Sequence, residues 1–133
     1  MVTSTDSITS EKGKHIRLMK RLKCTDWGIY AATCKMCCKQ YVGQTVTNFA
    51  TRWSGHRATW KSGSLEKNDK AALRVHYNIE HYNEKERSLG EAFSVVFLDK
   101  PRRTTELDFA ESRWINQLTA VININATLLP KVF

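Results

Sequence analysis

The chain has 133 residues, 41% of them hydrophobic and 26% charged, and a formal net charge of +8. That length covers one domain, or one with an appendage, and the composition is that of a folded soluble chain rather than a disordered or fibrous one. No apolar run approaches the roughly 20 residues that cross a bilayer, so no membrane partner is expected, and the basic excess points to polyanions, above all nucleic acid.

The opening stretch lacks the apolar core of a secretory signal, so an intracellular protein is expected. In a reducing compartment its four cysteines suggest metal ligands or free thiols before disulfides. Residues 1–13 are rich in Ser and Thr without an apolar period and read as a mobile tail. Residues 14–23 are densely basic, with Ile16, Met19 and Leu22 near helical spacing. They suggest a basic helix on DNA or a nuclear-import patch, or else a solvated linker. Residues 1–24 thus form a basic N-terminal extension and 25–133 the folded domain.

Segments 26–33 and 40–44 read as strands that pair in an antiparallel hairpin. Alternation puts Gly28, Tyr30 and Ala32 on one face with Tyr41 and Gly43. Ile29 and Val42 then point to a core. The glycines leave room beside the tyrosines for a ligand, although two aromatics on a sheet face are ordinary in themselves. Thr45 or Thr47 can cap a helix over 47–61. Its stripe is Phe49, Trp53, His56 and Trp60, with Arg52 on the flank. Ionisable groups at the edge of a buried face need partners, structural or functional.

Residues 61–68 read as a loop and 69–80 as a second helix. Residues 82–91 look irregular. Residues 93–98 are apolar on both faces and read as the central strand of a small sheet. Thr105 with Asp108 resembles a capping pair opening a helix over 105–119. Its predicted stripe, Leu107, Glu111, Trp114 and Leu118, contains a carboxylate where an apolar residue belongs. Such a group needs an arginine or a metal ion. Residues 121–133 are expected to pack back on the core.

Cys34 and Cys37 lie in the hairpin loop, and His76 and His81 follow on and past the second helix. C-x2-C with H-x4-H suits tetrahedral zinc. The long gap makes it a clip between hairpin and helix rather than an independent finger. Residues five apart diverge by about 140° on a helix, so His81 is expected at or beyond the helix end. A redox CxxC or plain buried thiols are the alternatives, but a redox pair prefers a helix N-terminus, and the two histidines would be left unexplained.

GIY at 28–30, ten intervening residues, YVG at 41–43, then Arg52 and His56 together resemble the GIY-YIG endonucleases. The likeness runs from about Asp26 to Asn125, and the cysteine and histidine pattern looks most like the endonuclease domain of Penelope-like retroelements. It implies an α+β fold: a small antiparallel three-stranded sheet flanked by helices. It implies Tyr30, Tyr41, Arg52, His56 and Glu111 as catalytic residues, with Glu111 holding Mg²⁺ or Mn²⁺. The family's terminal asparagine matches Asn125, with Asn123 standing where relatives carry glycine. Zn²⁺ on Cys34, Cys37, His76 and His81 would be structural.

Phosphodiester hydrolysis needs a divalent ion on a phosphate oxygen, a guanidinium fork on the same phosphate and a base for the attacking water. Tyr30, Tyr41 and His56 compete for the role of base. Lys20, Arg21, Lys23, Arg57 and Lys61 are candidate DNA contacts. The resemblance also implies a setting: a nick in chromosomal DNA, in the nucleus, whose 3′-OH primes a fused or associated reverse transcriptase, with the domain acting as a monomer or weak dimer. A zinc-stabilised nucleic-acid-binding module without catalysis, or a thiol redox protein, would have no reason to assemble Tyr30, Tyr41, Arg52 and Glu111.

Overall fold

The computed structural model describes residues 7–62 and 71–128, without the side chains of 125–128. The loop predicted at 61–68 falls largely outside this range. The described elements are β1 (Ser7–Thr9), β2 (His15–Arg17), β3 (Gly28–Cys34), β4 (Gln40–Thr45), α1 (Phe49–Ser62), α2 (Ala72–Glu80), α3 (Leu89–Ala92), β5 (Phe93–Asp99), α4 (Leu107–Leu118) and α5 (Val121–Leu128). Strands β4, β3 and β5 form a three-stranded antiparallel sheet in that order, and β1 and β2 a separate antiparallel ribbon.

The sheet separates two apolar layers. Tyr30, Ala32, Tyr41, Val95 and Phe97 face α1 and α2, where they meet Phe49, Trp53, Trp60, Leu73 and Tyr77. Ile29, Ala31, Val42 and Leu98 face the other way, onto Leu107, Ala110, Trp114 and Leu118 of α4. Tyr30 pairs with Gly43 and Ala32 with Tyr41, so the hairpin alternates as its sequence requires. Phe49 stacks on Phe97 at 4.3 Å between centroids and fixes the start of α1 over the sheet. Gly28 has φ +144, and a Cβ there would strike the Asp99 carbonyl, so only glycine lets β3 start this close to β5.

Several expectations are corrected. Among the described strands β5 lies at an edge and β3 in the centre. Apolar residues on both faces of β5 report layers above and below it, not neighbours at its sides. Segment 14–23 is not helical: β2 occupies His15–Arg17 and pairs with β1. Ile8, Ile16 and Leu18 are buried in the α4 layer, so the described part of the predicted tail is packed. Asn48, not a threonine, caps α1, its Oδ1 accepting from the Thr51 N–H at 2.8 Å. Residues 82–91 include the start of α3, opened by a reciprocal Ser88–Glu91 capping box. Asp108 accepts from Gln44 Nε2 at 2.8 Å rather than capping with Thr105. The α4 stripe is Leu107, Ala110, Trp114 and Leu118, so Glu111 sits half-buried at its margin.

Strand β4 is the other edge, and three of its outer backbone groups have side-chain partners. Asn123 Oδ1 accepts from the Val42 N–H at 2.6 Å, and its Nδ2 donates to the Val42 carbonyl at 2.8 Å. Glu11 Oε2 accepts from the N–H groups of Gln40 at 2.7 Å and Val121 at 3.0 Å. Pairing of this kind blunts an open edge.

Candidate active site and metal centre

Tyr30 and Tyr41 project from adjacent strands toward α1, with ring centroids 6.5 Å apart. His56 closes the group, 5.9 Å from the Tyr30 ring and 6.1 Å from the Tyr41 ring. Its burial, 1% exposed, follows from its place between Trp53 and Trp60 on the inward stripe. The Tyr30 hydroxyl and His56 Nε2 share a 2.6 Å hydrogen bond. Arg52, half-buried on the flank of α1, donates from Nε to the Tyr30 oxygen at 3.4 Å. The Tyr30 oxygen thus sits between a guanidinium donor and an imidazole nitrogen. The Tyr30 ring lies directly over Gly43, where a Cβ would collide with the hydroxyl.

The structure therefore brings together Tyr30, Tyr41, Arg52 and His56, as their spacing suggested. Glu111 lies half-buried on α4, which packs on the opposite face of the sheet. Asn123 is engaged with the β4 backbone. The side chain of Asn125 falls outside the described residues. Arg57 and Lys61 are exposed on α1, and Lys20, Arg21 and Lys23 follow the ribbon on the surface. Lys20 is held by Asp99 at 3.0 Å and by the Lys100 carbonyl at 2.6 Å.

The second group lies in the same apolar layer, at the far end of β3. The ligand atoms of Cys34, Cys37, His76 and His81 all lie within 4.8 Å of one another. Cys34 Sγ is 3.4 Å from His81 Nε2, and Cys37 Sγ is 3.3 Å from His76 Nε2. Tetrahedral zinc, with bonds of about 2.3 Å to sulfur and about 2.05 Å to nitrogen, spaces its sulfur and nitrogen ligands about 3.6 Å apart. The cluster fits that ion in donor type and in span. Burial, with the neighbouring His81 second, pushes His76 down to about 4, which leaves a neutral ring with a free lone pair at pH 7. Burial likewise pushes the Cys37 thiol up to about 11, so a bound cation would be what ionises it. His81 terminates α2 as its C-cap, beyond the regular helix as its spacing required. Cys38, exposed with φ 65, is not one of the four. Cys24 is a half-buried free thiol.

A family model described as the GIY-YIG catalytic domain matches residues 26–125. The chain belongs to the GIY-YIG family. The family assignment makes it a DNA endonuclease, a hydrolase of phosphodiester bonds. Among solved structures it is similar to the catalytic domain of homing endonuclease I-TevI, at 22% identity over 74% of this chain and 94% of that chain, with a TM-score of 0.54. That likeness establishes a shared GIY-YIG nuclease fold. No curated protein matches the chain.

One contributor carries no distinct mark in the sequence. Glu84 Oε2 lies 2.7 Å from His81 Nδ1. A carboxylate three residues past a candidate ligand is a usable signal, but in the polar run 82–87 it is one charge among several.

Proposed function

We propose that this GIY-YIG endonuclease nicks duplex DNA with a divalent cation held by Glu111. The observation that carries the reading is the Arg52–Tyr30–His56 chain at the edge of a buried aromatic layer, where Tyr30 takes contact from both basic groups. Tyr30, held between His56 and Arg52, would be the group that meets an attacking water. Tyr30 would take the water's proton while its own passes to His56 Nε2. The Arg52 guanidinium would grip a phosphate oxygen beside that hydroxyl. Tyr41 walls the other side of the ring pair. Glu111 offers a hard oxygen donor, which suits Mg²⁺ or Mn²⁺ completed by waters and substrate oxygens. When bound, such an ion stabilises charge developing on the phosphate.

The cluster of Cys34, Cys37, His76 and His81 would hold zinc as a closed structural site, tying the hairpin loop to α2. Its role is support of the layer that carries the aromatic site. The cysteine and histidine order supports a Penelope-like retroelement origin. In that setting the nick, made in nuclear chromosomal DNA, leaves the 3′-OH that primes a fused or associated reverse transcriptase.

The surface route for the duplex would include the ribbon and its extension. Arg17, Lys20 and Arg21 line an open groove of about 520 Å³ together with His15 and the exposed Met19. Ile16 and Leu18 anchor that segment, so its cations are presented from a fixed backbone.

The deciding experiment is nicking of supercoiled plasmid with Mg²⁺, for the wild type and Glu111→Gln. The variant is expected to fold and bind DNA while losing cleavage. Retained Mg²⁺-dependent cleavage removes Glu111 from the mechanism. No cleavage by the wild type, with DNA bound, favours a zinc-stabilised binding module instead.

A further inference from the structure

The segment joining α2 to α3 is tied down at every stage. Glu84 places Oε2 on His81 Nδ1 at 2.7 Å and Oε1 on Arg87 Nη1 at 3.1 Å. Arg87 Nη1 also donates to the Tyr77 hydroxyl at 2.8 Å, and that hydroxyl donates to the Lys85 carbonyl at 2.7 Å. The Arg87 carbonyl accepts from Trp60 Nε1 at 2.8 Å, which fixes the segment's far end to α1. His81 is 8% exposed, whereas the Glu84 side chain is 37% exposed and would turn into solvent if nothing held it.

An ordinary surface ion pair between Glu84 and Arg87 would leave the second carboxylate oxygen in water. Here that oxygen is spent on an imidazole nitrogen. The other oxygen accepts from the Arg87 guanidinium, and a carboxylate paired in this way only accepts, so the His81 Nδ1–H donates to it. The lone pair is then left on Nε2, the atom 3.4 Å from Cys34 Sγ. The ring is thus set in tautomer and in orientation before any ion arrives.

We infer that Glu84 is the positioning residue for the metal centre, with Arg87 and Tyr77 holding the carboxylate in place. The inference rests on the reading of Cys34, Cys37, His76 and His81 as a metal site. Without Glu84 the His81 ring would populate both tautomers and rotate, and binding would have to select one arrangement. Loss of an outer carboxylate of this kind typically weakens metal binding about 10–100-fold.

The test uses the full chain, titrated with Zn²⁺ against a chromophoric chelator and, separately, loaded with Co²⁺ for its visible absorption. Glu84→Ala is expected to bind zinc about 10–100-fold more weakly and to shift the cobalt bands even at saturation. Glu84→Gln keeps an acceptor oxygen for the ring N–H and is expected to recover part of the affinity. It also keeps the test alive should Glu84→Ala fail to fold. Equal zinc affinity and identical cobalt spectra in wild type and variants overturn the inference while leaving the metal site standing. A folded wild type that takes up neither ion overturns the metal reading, and this inference with it.

Discussion

Gly43→Ala tests how tightly the site is built. The residue lies on β4 directly under the Tyr30 ring, and an added Cβ would fall 2.5 Å from Tyr30 Cζ and collide with the hydroxyl. The backbone at Gly43 is not in the left-handed region, so alanine meets no conformational penalty of its own and the whole effect must come from the ring. Tyr30 is 2% exposed between Phe49, Tyr41 and His56, so it has little space in which to retreat. Overpacking of this kind costs about 1–3 kcal/mol of stability. For a chain of this size each kcal/mol lowers the melting temperature by about 3–6 °C. The catalytic loss should exceed the stability loss in proportion. Moving the ring far enough to seat a methyl group means a shift on the order of 1 Å, and a misplacement of that size costs about a hundredfold in rate. The assay is plasmid nicking at saturating DNA and Mg²⁺, at a temperature where the variant is folded, beside a binding measurement and a melt. Gly90→Ala is the control, since nothing lies within 4 Å of a Cβ there. A Gly43→Ala variant that nicks at the wild-type rate would refute the claim that Tyr30 acts from this position.

Arg52→Lys keeps the charge but loses the planar fork, and single-turnover nicking should fall by about a hundredfold; an unchanged rate would reduce Arg52 to a general positive charge. Arg17→Ala with Arg21→Ala should weaken DNA binding and make log affinity fall less steeply with log salt, by about 0.9 for each phosphate no longer neutralised, and an unchanged slope removes the ribbon from the interface. Cys34→Ser with Cys37→Ser should lower the melting temperature and abolish bound zinc by metal analysis, and a folded, zinc-free wild type would show that the cluster is held by packing alone.

Much of the site was legible because it depends on short-range periodicity. Strand alternation alone put Tyr30 and Tyr41 on one face, and helical spacing put His56 between Trp53 and Trp60. The cysteine and histidine spacing worked for the same reason, since each pair lies within one turn or one helix end. What failed depends on partners distant in the chain. The phase of α4 slipped by one residue because Ala110, small and neutral, gives no signal against the louder Glu111. Strands of three residues, as in β1 and β2, are too short to show a period, and their burial comes from α4, far along the chain. Nothing local says that β5 lies at an edge. Nor does local sequence say that Asn123 belongs to Val42.

The protection of β4 has a consequence for the chain as it is made. Residues 40–45 can pair with β3 soon after they appear, and Glu11 is already present to cover Gln40. Asn123, which covers Val42, lies 81 residues later. At translation speeds of about 5–20 residues per second, that edge stays exposed for on the order of 4–16 s. The nascent chain during this window is a half-finished sheet with an adhesive margin. A chain truncated between Thr45 and Asn123 would keep that edge uncovered and able to template strands from its neighbours.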